Sequence, residues 1–143
     1  MKLFIIPLLL AFVSCGNVKS EENPELKKTI ETFFLKYATN SSQALDYIFQ
    51  VNQEVSSDQL NELKDKLSNV NSLAGKYHGY ENLTIKKATP SFIYMSYLVK
   101  HDRPVRFVFM FYKANDKWSL YKFKFDDQIG TELEESGKIF LTN

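Results

Sequence analysis

The stretch PVRFVFMFYKANDKWSLYKFKFDD, residues 104 to 127, limits the fold more than any other part of the chain. Two runs of alternating side chains, RFVFMFYK and WSLYKFKF, are parted by ANDK. Alternation with a period of two sends successive side chains to opposite faces of a strand. A short polar turn between two such runs pairs them antiparallel. The same pattern extends upstream. YENLTIKKATP reads as a strand ending at Pro90, SFIYMSYLVK as a second, and HDRP as a tight turn into the third. The region after Gly79 therefore predicts a four-stranded antiparallel meander. Twelve Phe, eight Tyr and one Trp suit a β-rich core.

Alternation also sorts the two faces. Phe107, Phe109 and Phe111 share one, and Tyr121, Phe123 and Phe125 are expected to join them as the core. The other face carries Arg106, Val108, Met110, Tyr112, Trp118, Leu120, Lys122 and Lys124. A slip of one residue exchanges the faces. The second face is more apolar than a sheet turned to water, so it is either covered by another element or used as a contact surface.

Ahead of the strands the period is helical. Asn23-Pro24-Glu25 is a helix start: a capping Asn, Pro at the first helical position and an acid in the first turn. Leu26, Ile30, Phe33, Phe34 and Tyr37 then form one apolar stripe. Ala44, Leu45, Ile48 and Phe49 mark a second, shorter helix. Ser56 and Gln59 stand as a capping box before a third, whose buried face is expected to hold Leu60, Leu63, Leu67, Val70 and Leu73, with Gly75 as its stop. The expected class is α+β: three N-terminal helices packed on a curved four-stranded antiparallel meander.

The first residues carry an address. Lys2 precedes an apolar run, Leu3 to Val13, of signal-peptide length and short of the roughly 20 residues that span a bilayer. Val13-Ser14-Cys15 resembles the end of a bacterial lipoprotein signal, in which small residues precede a cysteine that is acylated and becomes the mature N terminus. Phe12 stands where that family usually has Leu. The other reading is ordinary signal cleavage after Gly16. The lipoprotein reading divides the chain into a signal (1–14), a lipidated Cys15 with a polar tether (15–23) and an α+β domain (24–143). Lys19-Ser20-Glu21-Glu22 is similar to the acidic export signals of some surface lipoproteins, or is a solvated linker. Cys15 is the only cysteine, so the chain forms no internal disulfide.

Lys2 leaves with the signal, which brings eighteen basic residues down to match the seventeen acidic ones. A neutral domain gives no case for nonspecific nucleic-acid binding. The basic residues still cluster: nine lie between Lys86 and Lys124, against Asp102 and Asp116.

SSQALDYIFQVN, then GKYHGYENL, then the 104–127 block resemble a group of small uncharacterised bacterial NTF2-like proteins. The resemblance covers about Ser42 to Asp127. It implies a cone-shaped α+β fold and carries no activity with it. Enzymes of that superfamily place an Asp or His, often with a Tyr, inside the cone, and no such set can be placed in this sequence.

Chemistry-bearing motifs are sparse. The five glycines form no phosphate loop, and no serine elbow is present. His78 and His101 are the only histidines and lie at no metal-ligand spacing. Neither a catalytic set, nor a metal site, nor a cofactor is expected. Three stretches carry alternatives. Tyr77-His78-Gly79-Tyr80 reads as a turn freed by Gly79, or as a pocket at the cone mouth using Tyr77, His78 and Tyr80. Asp126-Asp127 reads as the N-cap of a helix over Gln128 to Glu135, or as a cation or base site. The face with Arg106, Met110, Tyr112, Trp118, Lys122 and Lys124 reads as a homodimer contact or solvated sheet, or as a site for an anionic glycan, lipid headgroup or peptide. The expectation is an envelope lipoprotein, at the outer membrane or cell surface, that binds a ligand or protein. A small cone-pocket hydrolase or isomerase and an immunity-type lipoprotein with one protein partner are the alternatives.

Overall fold

The structure, a computed structural model, describes residues 22–50 and 55–137. The signal, Cys15 and most of the tether lie outside the described residues. Within them the fold is α+β, with four helices and one open antiparallel sheet. The helices are α1 (Pro24–Tyr37), α2 (Ser41–Phe49), α3 (Ser57–Ala74) and α4 (Ile129–Glu135). The strands are β1 (Tyr77–Thr89), β2 (Phe92–His101), β3 (Val105–Lys113) and β4 (Trp118–Asp126), in the order β1-β2-β3-β4.

The helix starts form as their sequences dictate. The Asn23 side chain accepts from the backbone N–H groups of Glu25 and Leu26 at 3.0 and 3.2 Å. Ser56 and Gln59 close a reciprocal capping box at the start of α3. These bonds satisfy donors that the first helical turn leaves without partners. Gly75 ends α3 with φ at 86°, in the left-handed region that favours glycine.

The α1 stripe is buried throughout: Leu26, Ile30, Phe33, Phe34 and Tyr37. It presses on the inner face of the sheet, where Ile93, Met95, Tyr97, Phe107, Phe109 and Phe123 join it in one core. The Phe33 ring is fully buried and meets Phe109 edge-on at 5.0 Å and Phe123 at 5.8 Å. Tyr80 lies parallel to Phe34 at 3.8 Å. A buried aromatic of this kind stabilises the fold by about 2–3 kcal/mol through area alone.

The three N-terminal helices form, and α4 adds a fourth after β4, within the Gln128 to Glu135 helix read from Asp126-Asp127. Three expectations need correction. Tyr121 does not join the core; it is 63% exposed. Phe109 pairs with Phe123 and Phe111 with Leu120, so Tyr121 is the extra residue of a bulge and the alternation flips there. Leu120 is buried and Trp118 packs against the core, both on the side opposite to that expected. The α3 stripe is narrower than expected: Leu67 and Ala74 are buried, and Leu73 is 75% exposed. Lastly, Tyr77 to Tyr80 are strand rather than turn, and His78 is the extra residue of a bulge against β2.

Candidate functional site

Phenylalanine rings fill the space between α1 and the sheet, and among the described residues an open space lies at each end of the sheet. The larger is a groove of about 350 Å³ where α3, the β2–β3 turn and the end of β4 meet. Its walls are largely apolar, with Val70, Leu73, Pro104, Val105 and Phe125; Arg103 and Asp127 supply charge. Its shape follows from two backbone bonds that tie the turn to the helix end. Arg103 N–H donates to the Ala74 carbonyl at 2.8 Å, and Asp102 N–H donates to that of Lys76 at 3.1 Å. Gly75 permits this approach, since a Cβ there would stand 2.9 Å from Asp102 Cβ.

Two histidines sit beside the groove in different states. His101 is 9% exposed. Its Nδ1 lies 2.7 Å from the Gly75 carbonyl oxygen, which can only accept, so Nδ1 carries a proton. Its Nε2 lies 3.0 Å from the Tyr37 hydroxyl, which also bonds the Asn71 side chain. Burial pushes the Tyr37 phenol up, so it stays protonated. This chain of bonds ties α1, α3 and β2 together and leaves His101 no ring nitrogen free. His78 is on the outside. Its Nε2 lies 2.8 Å from Asp102 Oδ1, while Asp102 Oδ2 accepts from Lys76 N–H at 2.9 Å. The bond from His78, with that from the Lys76 backbone, holds the Asp102 carboxyl below the usual carboxylate range.

Tyr77, His78 and Tyr80, the alternative pocket, do not converge on one space. Tyr77 packs against Tyr37 and His101 at 5.3 and 5.6 Å, and Tyr80 stacks on Phe34, whereas His78 turns outward to Asp102.

The outer face of the sheet is divided. α4 covers the Arg106 end. Arg106 grips Asp126 through two bonds of 2.7 and 2.8 Å and reaches Glu132 at 2.9 Å. Glu132 also accepts from Tyr94 and Ser96 at 2.6 and 2.8 Å. Burial pushes the Glu132 carboxyl up, but the bonds from Tyr94 and Ser96 outweigh it and the carboxyl falls below its usual value. Burial and the bond to Glu132 raise the Tyr94 phenol, to about 12. Asp126 does contribute at the start of α4, accepting from Gln128 N–H at 3.0 Å, yet its main bonds are to Arg106. Of the six outer-face candidates, Arg106 is sealed beneath α4 and Lys124 leans on Asp126 at 3.6 Å. Trp118 lies toward α1. Met110, Tyr112 and Lys122 stay on the open part.

Sequence reasoning missed Glu132 and the groove. The signal for Glu132 was present: Arg106 in an apolar strand requires a carboxylate partner, and an acidic segment follows β4. The groove had no local signal, because three separate segments build it.

Among the described residues no group of three or more His, Cys, Asp or Glu is placed to hold a metal ion. No helix there is long and apolar enough to cross a membrane. No protein-family model matches the sequence, and no curated protein does.

Proposed function

We propose that the chain is a membrane-anchored envelope lipoprotein, at the outer membrane or cell surface, whose NTF2-like domain binds a ligand or protein partner rather than catalysing a reaction. One observation carries this reading. Rings fill the interior where a cone-pocket enzyme would hold its substrate, and a 350 Å³ groove opens instead beside α3. The groove suits an apolar group whose polar end meets Arg103 and Asp127. The order of helices followed by an antiparallel meander supports the NTF2-like assignment. His78 lies outside the fold on Asp102, away from the place that an enzyme of this architecture would use. Val13-Ser14-Cys15 supports the lipid anchor, with two or more acyl chains giving stable attachment.

Two experiments test the reading. Metabolic labelling with a fatty acid is expected to mark the wild type and not Cys15→Ser; equal labelling sinks the anchor. A photo-crosslinking side chain introduced at Leu73 is expected to capture one reproducible species in cells. The same side chain at Asp58, at the other end of α3, is expected to capture none. Identical patterns at the two positions sink the groove.

A further inference from the structure

The smaller of the two open spaces shows where the tether joins the fold. Glu25 and Leu26, in the first turn of α1, share it with Phe111 and Trp118. Chain outside the structure thus attaches beside the β3–β4 turn. α1 runs from there toward His101 over about 21 Å at 1.5 Å per residue. The groove that holds Arg103 lies at the far end.

The end near the tether has its own surface. Phe92 lies 5.4 Å from Tyr121 and 6.3 Å from Tyr112, ring to ring. Tyr112 and Tyr121 are 43% and 63% exposed. The bulge in β4 is what turns Tyr121 outward. Lys113 stands over the Trp118 ring at 5.3 Å. Lys86, Lys87, Lys117 and Lys122 are exposed on the two hairpins that end here, β1–β2 and β3–β4, with Asp116 as the acid in the β3–β4 turn. Among the described residues none of these lysines is paired with a carboxylate.

We propose that this end of the sheet is a bilayer-docking surface that seats the domain on anionic phospholipid. Tyr and Trp combine an apolar ring with a polar edge and favour the membrane–water boundary. Unpaired lysines are drawn to an anionic leaflet within a Debye length of about 10 Å. The tether brings the surface within range: eight residues from Cys15 to Asn23 reach at most about 28 Å. A second copy of the chain is a poor occupant, since a twofold contact would set this lysine field against itself. Docking would turn the groove away from the membrane. The proposal rests on the anchor reading for its setting but reads out separately.

Trp118 is the only tryptophan, so fluorescence quenching by brominated phospholipid tests the idea on the full acylated chain. The vesicles would be phosphatidylcholine alone or mixed with phosphatidylglycerol. Two reporters are compared in a Trp118→Phe background: Tyr121→Trp at the tether end and Leu73→Trp at the groove. The expected result is quenching of the Tyr121→Trp reporter in mixed vesicles and none of the Leu73→Trp reporter. Joint charge reversal, Lys113→Glu with Lys117→Glu and Lys122→Glu, should remove the quenching and leave fatty-acid labelling intact. Equal quenching at both ends, quenching unaffected by charge reversal, or a Tyr121→Trp signal that follows protein concentration without lipid would each overturn the proposal. Quenching without fatty-acid labelling would uphold docking and reject the anchor. Labelling without quenching would do the reverse.

Discussion

Arg106 and Glu132 meet at 2.9 Å beneath α4, each with its side chain only 5% exposed. The two residues are 26 positions apart, and their contact is what holds a seven-residue helix against the outer face. A helix that short is not stable alone in water, so its docking depends on this network.

Removing Glu132 leaves Arg106 with Asp126 as its remaining counter-charge and takes the acceptor from the Tyr94 and Ser96 hydroxyls. Glu132→Ala is expected to lower stability by about 1–3 kcal/mol. Hydrogen exchange should show α4 released while α1 stays protected. A change in the urea midpoint within error would show that the pair contributes nothing.

The same network sets an acid limit. Burial raises the carboxyls of Asp126 and Glu132, but their bonds to Arg106, Tyr94, Ser96 and the Gln128 backbone prevail, and both titrate below their ordinary values of 3.8 and 4.5. A folded-state pKa that is depressed contributes stability above the unfolded pKa, and that contribution is lost as pH falls through the folded value. Stability measured against urea should therefore hold between neutral pH and about pH 5, then fall in more acid solution. Asp126→Asn with Glu132→Gln should start lower and flatten that fall. An unchanged acid slope in the double variant would remove these carboxyls from the account.

Gly75 is a second point of sensitivity. Ala there meets both an unfavourable φ of 86° and the Asp102 side chain. Gly75→Ala is expected to cost more than about 1 kcal/mol. Adding Asp102→Ala should relieve the contact with the carboxylate but leave the 2.9 Å contact with Cβ and the backbone part, so partial recovery of the melting temperature is the expected outcome. Full recovery would mean that neither the Cβ contact nor φ contributes.

The bulge at Tyr121 is tested by its two flanks. Leu120→Ala removes a buried side chain and should destabilise by about 2–5 kcal/mol. Tyr121→Ser should stay within about 0.5 kcal/mol of wild type, as surface substitutions do. The reverse order would move the register by one residue.

Groove and stability should separate. Leu73→Asp alters a side chain that is already 75% exposed, so the melting temperature should hardly change. Capture by a crosslinker at Val70, one turn earlier on the same wall of the groove, should nevertheless be lost. A folded Leu73→Asp protein that captures as well as wild type would detach the groove from binding.

What could be read from the chain, and what could not, follows from the range of each signal. The α1 stripe, the Asn23 cap and the Ser56–Gln59 box are local patterns, and all three hold. Strand alternation identified Phe107, Phe109 and Phe111 as core for the same reason. The faces of β4 came out half wrong because one inserted residue, Tyr121, reverses the alternation without any mark in composition. Leu73 fits the α3 period, but it borders the open groove and stays exposed. The fate of the outer face was left open between cover and contact; α4 covers the Arg106 end, and the surface around Tyr112 stays open. Arg103, Val70 and Phe125 come together only through tertiary packing, so no window of sequence could announce them.

The order β1-β2-β3-β4 has a consequence in time. Each strand pairs with the one that precedes it in the chain, across turns of a few residues, so the sheet never has to wait for a distant segment. α4 is different. Glu132 needs Tyr94 and Ser96 from β2 and Arg106 from β3 to be in place before it can close. The ionic contact is thus expected to form after β2 and β3 have paired, and local opening of the folded protein is expected to begin there.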